Sequence, residues 1–173
     1  MTWLREPADG ATPLQEVTAL RPELDALLQA YLAETWRSGD PVVLELCRLR
    51  IATLHGDAAQ RRLRHAGAVE AGLTEEMVAA LPDHHRAVCF SEHQRRCIAY
   101  AEQYVIDVHG LTDAAAEGVK ASMSDADFVA FTVALGLFDG VGRLRLALGV
   151  ADDTTDVDTV HIVPIPSAHV PSH

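Results

Sequence analysis

The sequence predicts an all-α protein, a helical bundle with an extended N-terminal arm and a C-terminal tail. Three observations carry this. Aromatic residues are only 5% of the chain while Ala and Leu abound, and strands prefer aromatic and β-branched residues. Leu24, Leu27, Leu28 and Leu32 recur at the spacing of one helix face. Segment after segment begins with a capping residue and stops at a glycine.

Taken in order, residues 1–20 form a Pro- and Gly-containing arm, residues 21–150 a helical domain, and residues 151–173 a tail. The first helix of the domain runs from Pro22 to about Arg37 and stops near Gly39. The second starts after Asp40, a good N-cap, with Pro41 in the first helical position, and ends at Gly56. Asp57 then caps a third helix expected to run unbroken to about Ala71, before Gly72. A short helix follows Thr74. Ser91 and Gln94 form a capping box that opens a helix to about Val108. Thr112 starts another short helix. Ser124, with Asp125 and Asp127 in the first turn, opens the longest helix, to about Gly149. That helix is apolar on nearly all sides from Phe128 to Phe138, which places it centrally or at a subunit interface. Gly136 and Gly140, one turn apart, fit simple core packing. The tail carries Asp152, Asp153, Asp156 and Asp158, then a proline-containing extended stretch, either a loose end or an arm laid over a neighbouring subunit.

Composition also restricts function. Twenty-five acidic against 14 basic residues give a net charge of −11, which opposes binding to nucleic acid or anionic membrane. The longest apolar run is too short to span a bilayer. Cys47, Cys89 and Cys97 are odd in number and form no CxxC pair, as expected of reduced thiols in a cytoplasmic protein.

The segment Leu44-Glu45-Leu46-Cys47-Arg48-Leu49-Arg50-Ile51-Ala52-Thr53-Leu54-His55-Gly56 resembles the helix before the active site of the AhpD-like / carboxymuconolactone decarboxylase family. That family reads E-x11-C-x2-C-x3-H. With Glu45 on its glutamate, Asp57, Gln60 and Arg64 stand where the two cysteines and the histidine belong, and Ala71-Gly72-Leu73 falls in register without a gap. Four later stretches fit in order: Phe90 to Glu102, Leu111-Thr112-Asp113, Ser124 to Val129, and Gly140-Val141-Gly142-Arg143-Leu144. The resemblance covers about residues 20 to 150. It implies the AhpD-like bundle and a homo-oligomer, trimer or hexamer. The departure excludes a thiol peroxidase, because thiolate is the nucleophile and no carboxylate or amide replaces it. Cys47 lies about 160° around its helix from Glu45 and is expected to pack in the core.

Each substituted position has two readings. Asp57 caps its helix, or acts in catalysis. Glu45 makes a surface ion pair with Arg48, or faces inward and shuttles a proton. Arg61, Arg64 and His65, expected on one face of the third helix, neutralise Glu45, Asp57 and Glu70, or bind substrate, with Arg64 gripping a carboxylate. His55 belongs to a helix C-terminus, or reaches the pocket. The resulting expectation is a cofactor-independent acid–base enzyme acting on a small organic acid or lactone. Glu45, Asp57, Arg64 and His55 would be its catalytic residues, and Gln60, Arg61 and His65 would bind substrate. The alternatives are a non-catalytic member that binds a small ligand or serves assembly, and a metal-dependent oxidoreductase, although Glu45, His55, Asp57 and His65 match no metal motif.

Overall fold

A computed structural model describes Ala8, Gly10, residues 12–150 and residues 160–164. It is almost wholly helical. The helices are α1 (Pro13–Thr18), α2 (Pro22–Arg37), α3 (Pro41–Leu54), α4 (Ala58–Arg62), α5 (Ala66–Glu70), α6 (Glu75–Ala80), α7 (Glu92–Ile106), α8 (Asp113–Lys120) and α9 (Asp125–Ala147). Two three-residue strands, β1 (Leu63–His65) and β2 (His161–Val163), are the strands among the described residues. No single described helix is long and apolar enough to cross a membrane; α8 and α9 pass only as a pair bent by 115°.

The helix starts follow local chemistry. The Asp40 carboxylate accepts from the backbone N–H of Val42 and Val43 above Pro41, while Ser91 and Ser124 both complete capping boxes. The α3 helix ends where Gly56 takes a φ of 71°, the left-handed conformation that glycine enters without a Cβ penalty. The N-terminal segment read as an arm contains α1, capped by Thr12.

The central helix is α3. One of its sides packs with Trp36, Cys97, Tyr100, Phe131, Leu135 and Phe138; the other packs with Ala68, Leu73, Met77, Leu81, Phe90 and Ile98. Ten of its fourteen residues are buried, which explains its weak amphipathic pattern: a helix wrapped on both sides has no solvent face to mark. The α9 helix is less enclosed than its composition suggests. Phe131, Ala134, Leu135 and Phe138 are buried, yet Val129 and Val133 are exposed. Gly140 borders a groove of about 470 Å³ shared with Leu28 and Tyr31 of α2, so it is not core packing.

The third helix is where the structure differs most from expectation. It is interrupted: residues 63–65 are extended and pair in parallel with β2, in the register Leu63↔His161, Arg64↔Ile162 and His65↔Val163. The described end of the tail therefore folds back on its own chain. The tail aspartates lie outside the described residues.

Candidate functional site

Glu45 projects from the middle of α3 toward the α4–β1 segment and is wholly buried. Its oxygens accept from Nε and Nη2 of Arg48, both at 2.7 Å, and from the backbone N–H of His65 at 3.2 Å. Arg48, one turn further along α3, is 7% exposed. Its Nη2 also donates to the Leu63 carbonyl at 2.9 Å, and its Nη1 to the backbone and side-chain oxygens of Gln60 at 3.1 and 3.4 Å. All five N–H groups of this guanidinium are thus engaged. A buried two-pronged pair of this kind survives only when the remaining donors are matched as well. Both expectations for Glu45 hold in part: it faces inward, and it pairs with Arg48, but the pair is buried rather than on the surface.

The other substituted positions also have internal partners. Asp57 caps α4 through Oδ1, which accepts from the Gln60 N–H at 3.0 Å, while its Oδ2 accepts from Nε of Arg145 at 3.2 Å. Arg145, in the last turn of α9, is 3% exposed. Arg64 turns away from Glu45. Its Nε and Nη2 hold the Glu75 carboxylate at 2.9 and 3.0 Å, and its Nη1 donates to the carbonyls of Arg61 and Leu63. Arg61, Arg64 and His65 therefore do not supply the charge partners of Glu45 and Asp57: the pairs are Glu45–Arg48, Asp57–Arg145 and Arg64–Glu75. Arg61 is exposed on α4. It shares no helix face with Arg64 and His65, because β1 breaks the helix between them.

His55 caps the end of α3 and bonds through Nε2 to Asp139 of α9 at 2.8 Å. Asp139 is shared with Arg143. The His55 Nδ1 is buried without a partner, and a Cβ at Gly142 would overlap it. Gly142→Ala is accordingly expected to displace His55 and lower stability by about 1–3 kcal/mol, read as a fall in melting temperature.

His65 stacks on Trp36 with ring centroids 4.0 Å apart. Burial, and then the positive charge of Arg48, hold its pKa down at about 4, with Glu45 acting in the opposite direction. The imidazole is therefore neutral near pH 7. In the unfolded chain it binds a proton below about pH 6.5, which the folded chain resists until about pH 4. Its contribution is complete above pH 6.5 and is lost as pH falls toward 4, on the order of 3 kcal/mol in all. His65→Phe should flatten that part of the stability–pH curve, followed by urea unfolding at pH 7 and pH 4.5.

The structure thus gathers Glu45, Gln60 and His65 around Arg48, while Arg64, which shares the Leu63 carbonyl with Arg48, pairs with Glu75, Asp57 pairs with Arg145 and His55 bonds to Asp139. Neither of the two cavities described is bordered by Glu45. Among the described residues no group of three His, Cys, Asp or Glu side chains could hold a metal ion. The thiols do not replace the missing pair: Cys47 and Cys97 are fully buried, burial pushes Cys97 up to about 12, and Cys47 is also raised, first by burial and then by Cys97. Arg48 as the hub, and Trp36, Glu75, Asp139 and Arg145 as partners, were not predicted. For Arg48 the i,i+3 spacing to Glu45 was a usable signal; the other four lie far along the chain from what they hold.

Comparison with known proteins agrees with this architecture. Residues 22–103 match the model of the carboxymuconolactone decarboxylase family. A crystal structure of ATU0492 from Agrobacterium tumefaciens, a protein of unknown function provisionally described as the antioxidant defence protein AhpD, superimposes with a TM-score of 0.64. That likeness has 20% identity and covers 79% of this chain and 95% of the other, so it speaks for the fold alone. A search among curated proteins gives no match. The match over residues 22–103 and the all-helical bundle support assignment of the chain to the AhpD-like / carboxymuconolactone decarboxylase family.

Proposed function

We propose that this chain is a non-catalytic member of the family, in which the former reaction site has become a buried ion-pair lock and the working surface is one for self-association. The observation that carries the reading is Glu45: it has no solvent exposure, and both oxygens are held by Arg48. A proton shuttle needs a lone pair within reach of a substrate, and neither of the two described cavities borders this carboxylate.

The association surface is the α2/α9 face. Leu24, Leu27 and Tyr31 of α2 and Val129, Val133 and Leu144 of α9 are exposed, and Tyr31, Val133 and Leu144 border the groove together with Gly136 and Gly140. None of these residues is charged, in a chain of net charge −11. Two copies meet least repulsion there, and a patch with both a leucine ridge and a groove can complement itself. A trimer or hexamer would follow from the family resemblance, and three free thiols suit the reducing cytoplasm. Light scattering tests this part: wild type should be oligomeric at micromolar concentration, and Leu27→Glu with Val133→Glu should reduce it to monomers. A monomeric wild type would refute it.

A second reading, the cofactor-independent acid–base enzyme on a small organic acid or lactone, is favoured by one feature. His65 presents a neutral ring with an unpartnered Nδ1 beside the Glu45–Arg48 pair. Turnover of an acid or lactone by wild type, abolished in Glu45→Gln and in His65→Asn, would establish this reading over the first.

A further inference from the structure

Residues 58–70 have a conflict between local and tertiary preference. Ala58, Ala59, Gln60, Arg61, Arg62, Leu63, Arg64, Ala66 and Ala68 are good helix formers, and no proline stands among them. Yet Leu63 and His65 are extended, with ψ of 143° and 130°. Gly67 is a poor helix former but lies inside α5, so no glycine or proline at residues 63–65 calls for the break. Two tertiary contacts impose it. On one side β2 pairs with β1, and on the other Arg48 takes the Leu63 carbonyl and Glu45 takes the His65 N–H. The broken form has costs of its own: the His65 Nδ1 and the His161 Nε2 are buried without partners.

We propose that residues 57–71 form a two-state element governed by the tail strand. With His161–Val163 docked, residues 63–65 are a strand and the site is locked. With it undocked, α4, residues 63–65 and α5 join into one continuous helix. In that helix Arg64 leaves Glu75, and Arg61, Arg64 and His65 come to share one face at i, i+3 and i+4 spacing. Helical closure also withdraws the His65 N–H from Glu45 and the Leu63 carbonyl from Arg48, because each enters the helix's own ladder. The docked tail therefore keeps the Glu45 site shut. This inference is independent of which reading of the function is correct, since it concerns only the backbone of residues 63–65.

The test compares the full chain with a chain ending at Val150 and with an Ile162→Pro/Val163→Pro double variant, which removes two consecutive N–H groups from β2 without shortening the chain. Backbone Cα chemical shifts of Leu63, Arg64 and His65 report the conformation. They are expected to be extended in the full chain and helical in both variants, while the shifts of α3 and α7 stay fixed. A synthetic peptide of residues 159–164 added to the shortened chain should return the extended values. Shifts of 63–65 that remain extended in both variants would overturn the proposal. So would loss of the α3 and α7 signals in both, which would make β2 an integral part of the fold instead of a detachable strand.

Discussion

Arg48→Ala is expected to lower the unfolding free energy by about 3–5 kcal/mol, because it leaves the Glu45 carboxylate wholly buried and without its cation. The size follows from the surroundings. Glu45 would keep the His65 N–H at 3.2 Å, while the Gln60 carbonyl would lose its guanidinium donor and the Leu63 carbonyl would keep only that of Arg64. The double variant Glu45→Leu/Arg48→Met should recover more than half of the loss, since it removes both buried charges and fills the volume with apolar groups. Urea unfolding of wild type, both single variants and the double variant measures this. An Arg48→Ala protein as stable as wild type would mean that the pair is not what holds α3 to the α4–β1 segment.

Asp57→Ala should cost about 2–4 kcal/mol, the second largest effect expected. One part is the cap: Oδ1 holds the Gln60 N–H at the start of α4, worth about 1 kcal/mol. The rest is Arg145, 3% exposed, which loses its carboxylate and with it a tie between α4 and the end of α9. Asp57→Asn separates the two parts, because asparagine caps as well as aspartate but carries no charge. It should lose only the second contribution. Equal losses in the alanine and asparagine variants would show that the cap contributes nothing.

The scaffold was legible wherever a local signal sets it. Asp40, Ser91 and Ser124 mark the starts of α3, α7 and α9 because a cap acts on backbone within three residues. Glu45 could be placed inward by its register in the family motif, and its pairing with Arg48 by i,i+3 spacing. What could not be read is what depends on distant segments. Asp57 and Arg145 are 88 positions apart. The strand at 63–65 is held by His161–Val163 on one side and by Arg48 and Glu45 on the other, contacts that local propensity does not reveal. Arg64 was placed toward Glu45 on that unbroken helix; once the segment is extended, the same side chain reaches Glu75 instead. The helix α9, apolar on most sides, did not reveal that one of its flanks is open, because an apolar surface reads alike whether it meets core or another molecule.

A buried lock requires that the guanidinium groups of Arg48 and Arg64 be consumed inside the protein. NMR of their Nε–H resonances during titration of the intact chain with small organic acids, succinate and benzoate among them, tests this directly. Both resonances should exchange slowly with solvent and stay in place throughout the titration. A saturable shift of either one would show an anion entering the site, and the buried lock would be an open binding pocket.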